Sequence, residues 1–119
     1  MKLDNLDLIV DDVPGAAAFF RDVVGLTVRV LDPRFAEIDA GPVTLMLSPD
    51  ALVPMKSARG MILHFQVDDV AEAVERARGR GATILLEPAP TDWGWESAMI
   101  AGPAEIVVDF YRVLPEPTA

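Results

Sequence analysis

The chain is expected to fold as an α+β protein in which two βαβββ modules form a curled mixed sheet around a ligand cleft. Three observations carry that expectation. The tetrapeptide Val-Asp-Asp-Val occurs twice, starting at Val10 and again at Val67. Each copy follows an alternating apolar run and precedes an Ala-rich stretch with helical spacing. A length of 119 residues suffices for one core but not for two independent ones, so the modules are expected to share a single domain. Module one is placed at 1–50, a linker at 51–60 and module two at 61–113.

The elements follow in order. Leu3 to Val10 alternates, with Leu6, Leu8 and Val10 on one face and Asn5, Asp7 and Ile9 on the other. Asp12 stands where a helix N-cap belongs, and Pro14 falls in the first turn, where its missing N–H costs nothing. Val13, Ala16, Ala17, Phe20, Val23 and Val24 then recur at helical spacing up to Gly25. Short apolar runs at 26–31, 35–40 and 43–47 are separated by Asp32-Pro33 and Gly41-Pro42 turn signals.

Ser48 to Gly60 has prolines and no periodicity and reads as the crossing between modules, with Met55 able to dip into a pocket. Module two opens with a strand from Met61 to Val67. Asp69 and Glu72 then form a capping-box pattern for a helix ended by Gly79 and Gly81. Strands are expected at 83–86, 97–101 and 105–113, with Trp93 and Trp95 in the loop between the first two. Pro115-Glu116-Pro117 reads as a frayed end.

Composition narrows the function. Hydrophobic residues make up 51% and charged residues 24%, ordinary for a soluble globular protein and without a membrane-length apolar run. The N-terminus enters strand pattern directly with no secretory signal, so a cytoplasmic location is expected. Absence of cysteine excludes disulfides, thiolate nucleophiles and Cys-based metal centres. A net charge of −9 with scattered basic residues repels a phosphate backbone, so nucleic acid is not an expected partner, whereas a cationic small molecule would be attracted. There is no phosphate-binding Gly-rich loop, no Gly-x-Ser-x-Gly elbow and no second His.

Leu8-Ile9-Val10-Asp11-Asp12, the run Phe19 to Leu26, Phe65 to Val70, Trp93-Gly94 and Gly102-Pro103 together give the chain a resemblance to the vicinal-oxygen-chelate superfamily, the glyoxalase/bleomycin-resistance/dioxygenase group. The resemblance covers nearly the whole chain and implies the fold described above, a homodimer, and, in the enzymes of the group, His and Glu on cleft strands holding a divalent metal. The positions so implied fall here on Asn5, near Met46, on Ile62 and on Asp109. Ile62 and Met46 cannot bind a hard metal, Asn5 offers a neutral carbonyl, and Asp109 is shorter than Glu. The expectation is therefore a protein without metal or other cofactor, resembling the antibiotic-binding branch.

Strand alternation puts Ile62, His64 and Gln66 on the cleft face, and Val107, Asp109 and Tyr111 on one face of the last strand. His64, the single His, reads either as a hydrogen-bonded neighbour or as a ligand shifted by two residues, and it is the one ordinary proton carrier near neutrality. Asp109 is either a solvated strand-end carboxylate or a ligand contact, and Tyr111 either an edge residue or a cavity wall. Trp93 and Trp95 suit aromatic walls against a flat ligand, the alternatives being core caps or a dimer surface. Asp7 shares a face with Asn5, and Glu37 pairs with Asp39; a cleft-facing carboxylate there would suit a ligand amine or guanidinium.

Three functions follow. The leading one is a binding protein that sequesters a hydrophobic, partly aromatic small molecule, an antibiotic by the resemblance, through Asp7, Met46, Met55, His64, Trp93, Trp95, Asp109 and Tyr111, without chemistry and with no catalytic residue. The second is a lyase, isomerase or dioxygenase with a rebuilt metal site, or with His64 and Asp109 as acid and base. The third is an accessory module acting through its surface.

Overall fold

A computed structural model describes residues 1–55 and 57–116; Lys56 of the expected linker and Pro117 of the expected frayed end lie outside the described residues. The chain divides into two compact units: Met1–Arg59 with Pro103–Glu105, and Gly60–Gly102 with the chain from Ile106 onward.

The first unit contains β1 (Asn5–Ile9), α1 (Val13–Ala18), β2 (Thr27–Asp32), β3 (Phe35–Asp39) and β4 (Thr44–Ser48). Its sheet has the order β1-β4-β3-β2. Strand β1 runs parallel to β4, and the other pairs are antiparallel. The βαβββ order expected from the sequence is thus present, and the sheet is mixed.

The predicted cap is found: the Asp12 side chain accepts from Gly15 N at 3.0 Å, with Pro14 in the first turn. The helix then widens. Phe19–Val24 forms a π-type segment closed by a Gly25 N to Phe20 O bond of 3.0 Å, with Gly25 left-handed at φ 92°. That i→i+5 turn keeps the fully buried Phe20 inward beside Val23 and Val24. The same core takes Leu8, Ala36, Ile38, Leu45 and Leu47 from alternate strand positions. Burying one such large side chain contributes roughly 1.5–3 kcal/mol.

The second unit repeats the plan with β5 (Ile62–Gln66), α2 (Val70–Gly79), β6 (Ile84–Pro90), β7 (Trp95–Ala101) and β8 (Val107–Val113). Its order is β5-β8-β7-β6, with β5 parallel to β8. Asp69 caps α2 by accepting from Glu72 N at 3.1 Å. Val70, Val74 and Ala98 form the core, with Val67 and Ile84 packed against them. Arg78 near the end of α2 reaches Glu87 on β6 at 2.9 Å, and this bond holds the guanidinium above its ordinary pKa.

Two boundaries differ from the sequence expectation. Strand β6 runs on through Pro88 to Pro90, because an edge strand tolerates residues without an N–H, and its register slips against β7 at two places. Strand β7 starts at Trp95 rather than Ser97, so Trp95 belongs to the sheet and only Trp93 to the preceding turn.

Between Gly102 and β8 the chain turns tightly. Ala104 and Glu105 both take positive φ, 54° and 64°, a conformation costly for residues with a Cβ. Gly102 meets Ile106 so closely that an added Cβ would lie 2.7 Å from its Cγ1.

Candidate functional site

Register decides which side chains meet. In the second unit His64 pairs with Asp109 and Gln66 with Tyr111 across β5 and β8, while Met99 pairs with Asp109 and Ser97 with Tyr111 across β7 and β8. These residues, with Trp95 two positions before Ser97, share one face because side chains alternate along a strand. Ala98, Ile100, Val108 and Phe110 take the opposite face and are buried, where α2 covers the sheet.

At the centre of the open face, His64 Nδ1 lies 2.6 Å from Asp109 Oδ2. The carboxylate is 0% exposed while the imidazole keeps 42% of its surface. Ser97, also buried, reaches Asp109 Oδ2 at 3.5 Å, a long contact. Asp109 Oδ1 is buried with no hydrogen-bond partner among the described residues. A carboxylate can only accept, so Nδ1 donates the shared proton, and Nε2 lies on the side of the ring away from the carboxylate.

Aromatic rings surround this pair. Trp95 stacks on Tyr111, with centroids 3.9 Å apart and planes 18° apart. The imidazole stands edge-on to both, at 5.7 Å from Trp95 and 6.2 Å from Tyr111. Trp93, 61% exposed, meets Trp95 at 6.0 Å and 73°. Trp95 is held partly by the turn before it, where Thr91 Oγ1 accepts from Trp95 N at 3.0 Å.

Of the eight contacts expected from the sequence, His64, Trp93, Trp95, Asp109 and Tyr111 come together in this way. The other three lie in the first unit. Asp7 and Met46 are partners in register on β1 and β4, with Glu37 beside Met46 on β3. Met55 lines a hollow of about 480 Å³ with Ile9, Asp11, Asp12, Phe19 and Pro49. The carboxylates of Glu37 and Asp39 already face a guanidinium of the chain itself: Arg29 lies 3.7 Å and 4.0 Å from them and donates to Thr44 Oγ1 at 2.7 Å. Sequence reasoning missed Ser97 and Met99; their signal was the alternation that puts them on the face of Trp95.

The donor set does not fit the metal used by enzymes of the resembling group. Asn5, Met46 and Ile62 supply no anionic ligand, and among the described residues no three His, Cys, Asp or Glu side chains are placed to hold an ion. No helix of the described residues is long and apolar enough to cross a membrane.

The profile of the Glyoxalase/Bleomycin resistance protein/Dioxygenase superfamily matches residues 2–110, and the chain belongs to that family. Among solved structures, a "conserved domain protein" is 38% identical, with 95% of this chain and 99% of the other covered at a TM-score of 0.84. A glyoxalase/bleomycin resistance protein/dioxygenase family enzyme from Burkholderia phytofirmans PsJN is 23% identical over 96% of this chain and 100% of its own, TM-score 0.80. A glyoxalase-related enzyme from Fulvimarina pelagi is 19% identical over 94% and 88%, TM-score 0.82. These last two are similar in fold alone. No curated protein matches the chain.

Proposed function

We propose that the open face of the second unit binds a hydrophobic, partly aromatic small molecule of antibiotic type, and that the protein acts by holding this molecule and lowering its free concentration. The observation that carries the reading is the grouping of Trp95, Tyr111 and the exposed Trp93 around a polar pair, His64 and Asp109. Apolar walls with a few convergent polar groups are what a small-molecule site requires. The family name spans bleomycin resistance proteins as well as enzymes, which supports a resistance role. A homodimer in the cytoplasm belongs to the same proposal.

Tryptophan fluorescence titration with planar aromatic antibiotics, bleomycin among them, tests it. Saturable quenching that weakens by about 1–3 kcal/mol in Trp95→Ala supports the site; an unchanged affinity in both Trp93→Ala and Trp95→Ala removes it.

One observation favours a second reading, an enzyme using acid–base chemistry. A buried Asp orienting a half-exposed His through Nδ1 is the arrangement of a general base. Turnover of a bound aromatic compound that is lost in His64→Gln would establish it in place of sequestration.

A further inference from the structure

We infer that the hollow of the first unit is a second binding site, one that takes an organic ammonium ion with an apolar body. The inference is independent of the aromatic face of the second unit.

The hollow forms where parallel strands end together. Strands β1 and β4 run in the same direction, so their carboxyl ends adjoin. Val10 N donates to Ser48 O at 2.9 Å, which keeps the chain leaving β1 beside Pro49. Ala58, just after Met55, is pinned by its N–H, which donates to Ala104 O at 2.9 Å. The cavity left among these segments is about 480 Å³, a volume typical of small-molecule pockets.

Two departures from regular backbone meet there. Phe19, on the wall of the hollow, opens the π-type segment of the first helix, and such widened turns recur at functional sites. Ala104, also on the wall, holds φ 54° although it carries a Cβ, and strain of that kind collects at ligand clamps.

The lining decides the ligand. Ile9, Phe19, Pro49 and Met55 give apolar walls, and no basic side chain of the described residues takes part. Two carboxylates do. Asp12 is occupied, accepting from Gly15 N at 3.0 Å, whereas the exposed Asp11 side chain has no partner among the described residues. An anion is repelled by both. A metal ion would find apolar walls in place of further ligands, and among the described residues no three His, Cys, Asp or Glu side chains are placed to hold one. An ammonium group gains a charge-assisted contact with Asp11 and attraction to the Phe19 ring, while its apolar body covers Met55 and Pro49. The net charge of −9 adds a weaker attraction that salt screens.

Cyclohexylmethylammonium is a suitable probe, because it joins the charge to an apolar body without an aromatic ring. It is titrated into the full chain with isotope-labelled methionine methyl groups, the Met55 signal being the one lost in Met55→Leu. Cyclohexylmethanol and cyclohexanecarboxylate, similar in shape but neutral and anionic, are titrated in parallel. The ammonium is expected to shift Met55 saturably and to bind about three- to thirty-fold more tightly than the alcohol, with the carboxylate weakest. Asp11→Asn is expected to weaken the ammonium by about two- to five-fold. Asp11→Lys, checked like Asp11→Asn for native circular dichroism, is expected to reverse the order and favour the carboxylate. An unmoved Met55 signal, an alcohol that binds the wild type as tightly as the ammonium, or an ammonium affinity unchanged in Asp11→Lys overturns the inference.

Discussion

Asp109 Oδ2 stands 2.6 Å from His64 Nδ1 across two parallel strands, although the residues are 45 positions apart in the chain. One partner is sealed in the sheet and the other is open to solvent, so the pair has a fixed inner half and an available outer half.

Removing the outer half exposes what the pair does for stability. In His64→Ala, Asp109 keeps only the distant Ser97 hydroxyl, and unfolding in urea is expected to show a loss of about 1.5–3 kcal/mol. The double change His64→Ala with Asp109→Leu removes the buried charge and is expected to recover much of that loss. No loss in the single variant would mean that the His64–Asp109 contact does not contribute to stability.

The two tryptophans are expected to separate binding from folding. Trp95 is half-buried on Tyr111 and Trp93 is exposed. Trp95→Ala should therefore lower both ligand affinity and stability, each by about 1–3 kcal/mol. Trp93→Ala should lower affinity while leaving the urea midpoint within about 0.5 kcal/mol of wild type. Calorimetry of binding and urea titration of the same two variants decide the matter.

A helix cap supplies a test by change of sign. A Cβ on Gly15 would sit 2.2 Å from Asp12 Oδ2, driving the capping carboxylate off Gly15 N. Gly15→Ala is thus expected to cost about 1 kcal/mol, despite the better helix propensity of Ala. In an Asp12→Ala background the same change should instead stabilise by roughly 0.5 kcal/mol, since no cap remains to be lost.

The turn before β8 should be equally selective. Gly102→Ala would press a methyl group to 2.7 Å from the buried Ile106 and is expected to cost about 1–3 kcal/mol. Glu105→Asn, which eases a side chain held at φ 64°, should stabilise by up to about 1 kcal/mol. Thermal melts of the pair give opposite shifts if the turn is as described.

The fold was legible because its signals are local. The twin Val-Asp-Asp-Val segments, the caps at Asp12 and Asp69 and the period-two runs all act within a few residues. Two features were not legible for the same reason. The widening of the first helix at Phe19–Val24 depends on packing Phe20 into a core drawn from three strands, and the start of β7 at Trp95 depends on an edge strand that carries Pro88 and Pro90. In the site, alternation put His64, Asp109 and Tyr111 on inward faces, but parallel pairing of β5 with β8 is what brings His64 onto Asp109, and no local pattern encodes that register. Asp7, Met46 and Met55 lie in the first unit, Asp7 beside Met46 and Met55 in the hollow near Phe19.

The most direct test of the central claim is to map bound 4-nitrophenol by nuclear magnetic resonance on isotope-labelled protein, following the imidazole of His64, the two indole N–H groups and the Met55 methyl group. Saturable shifts at His64 and Trp95 are expected. Shifts confined to Met55 and its neighbours around the first-unit hollow would contradict this claim and move the binding site to the other unit.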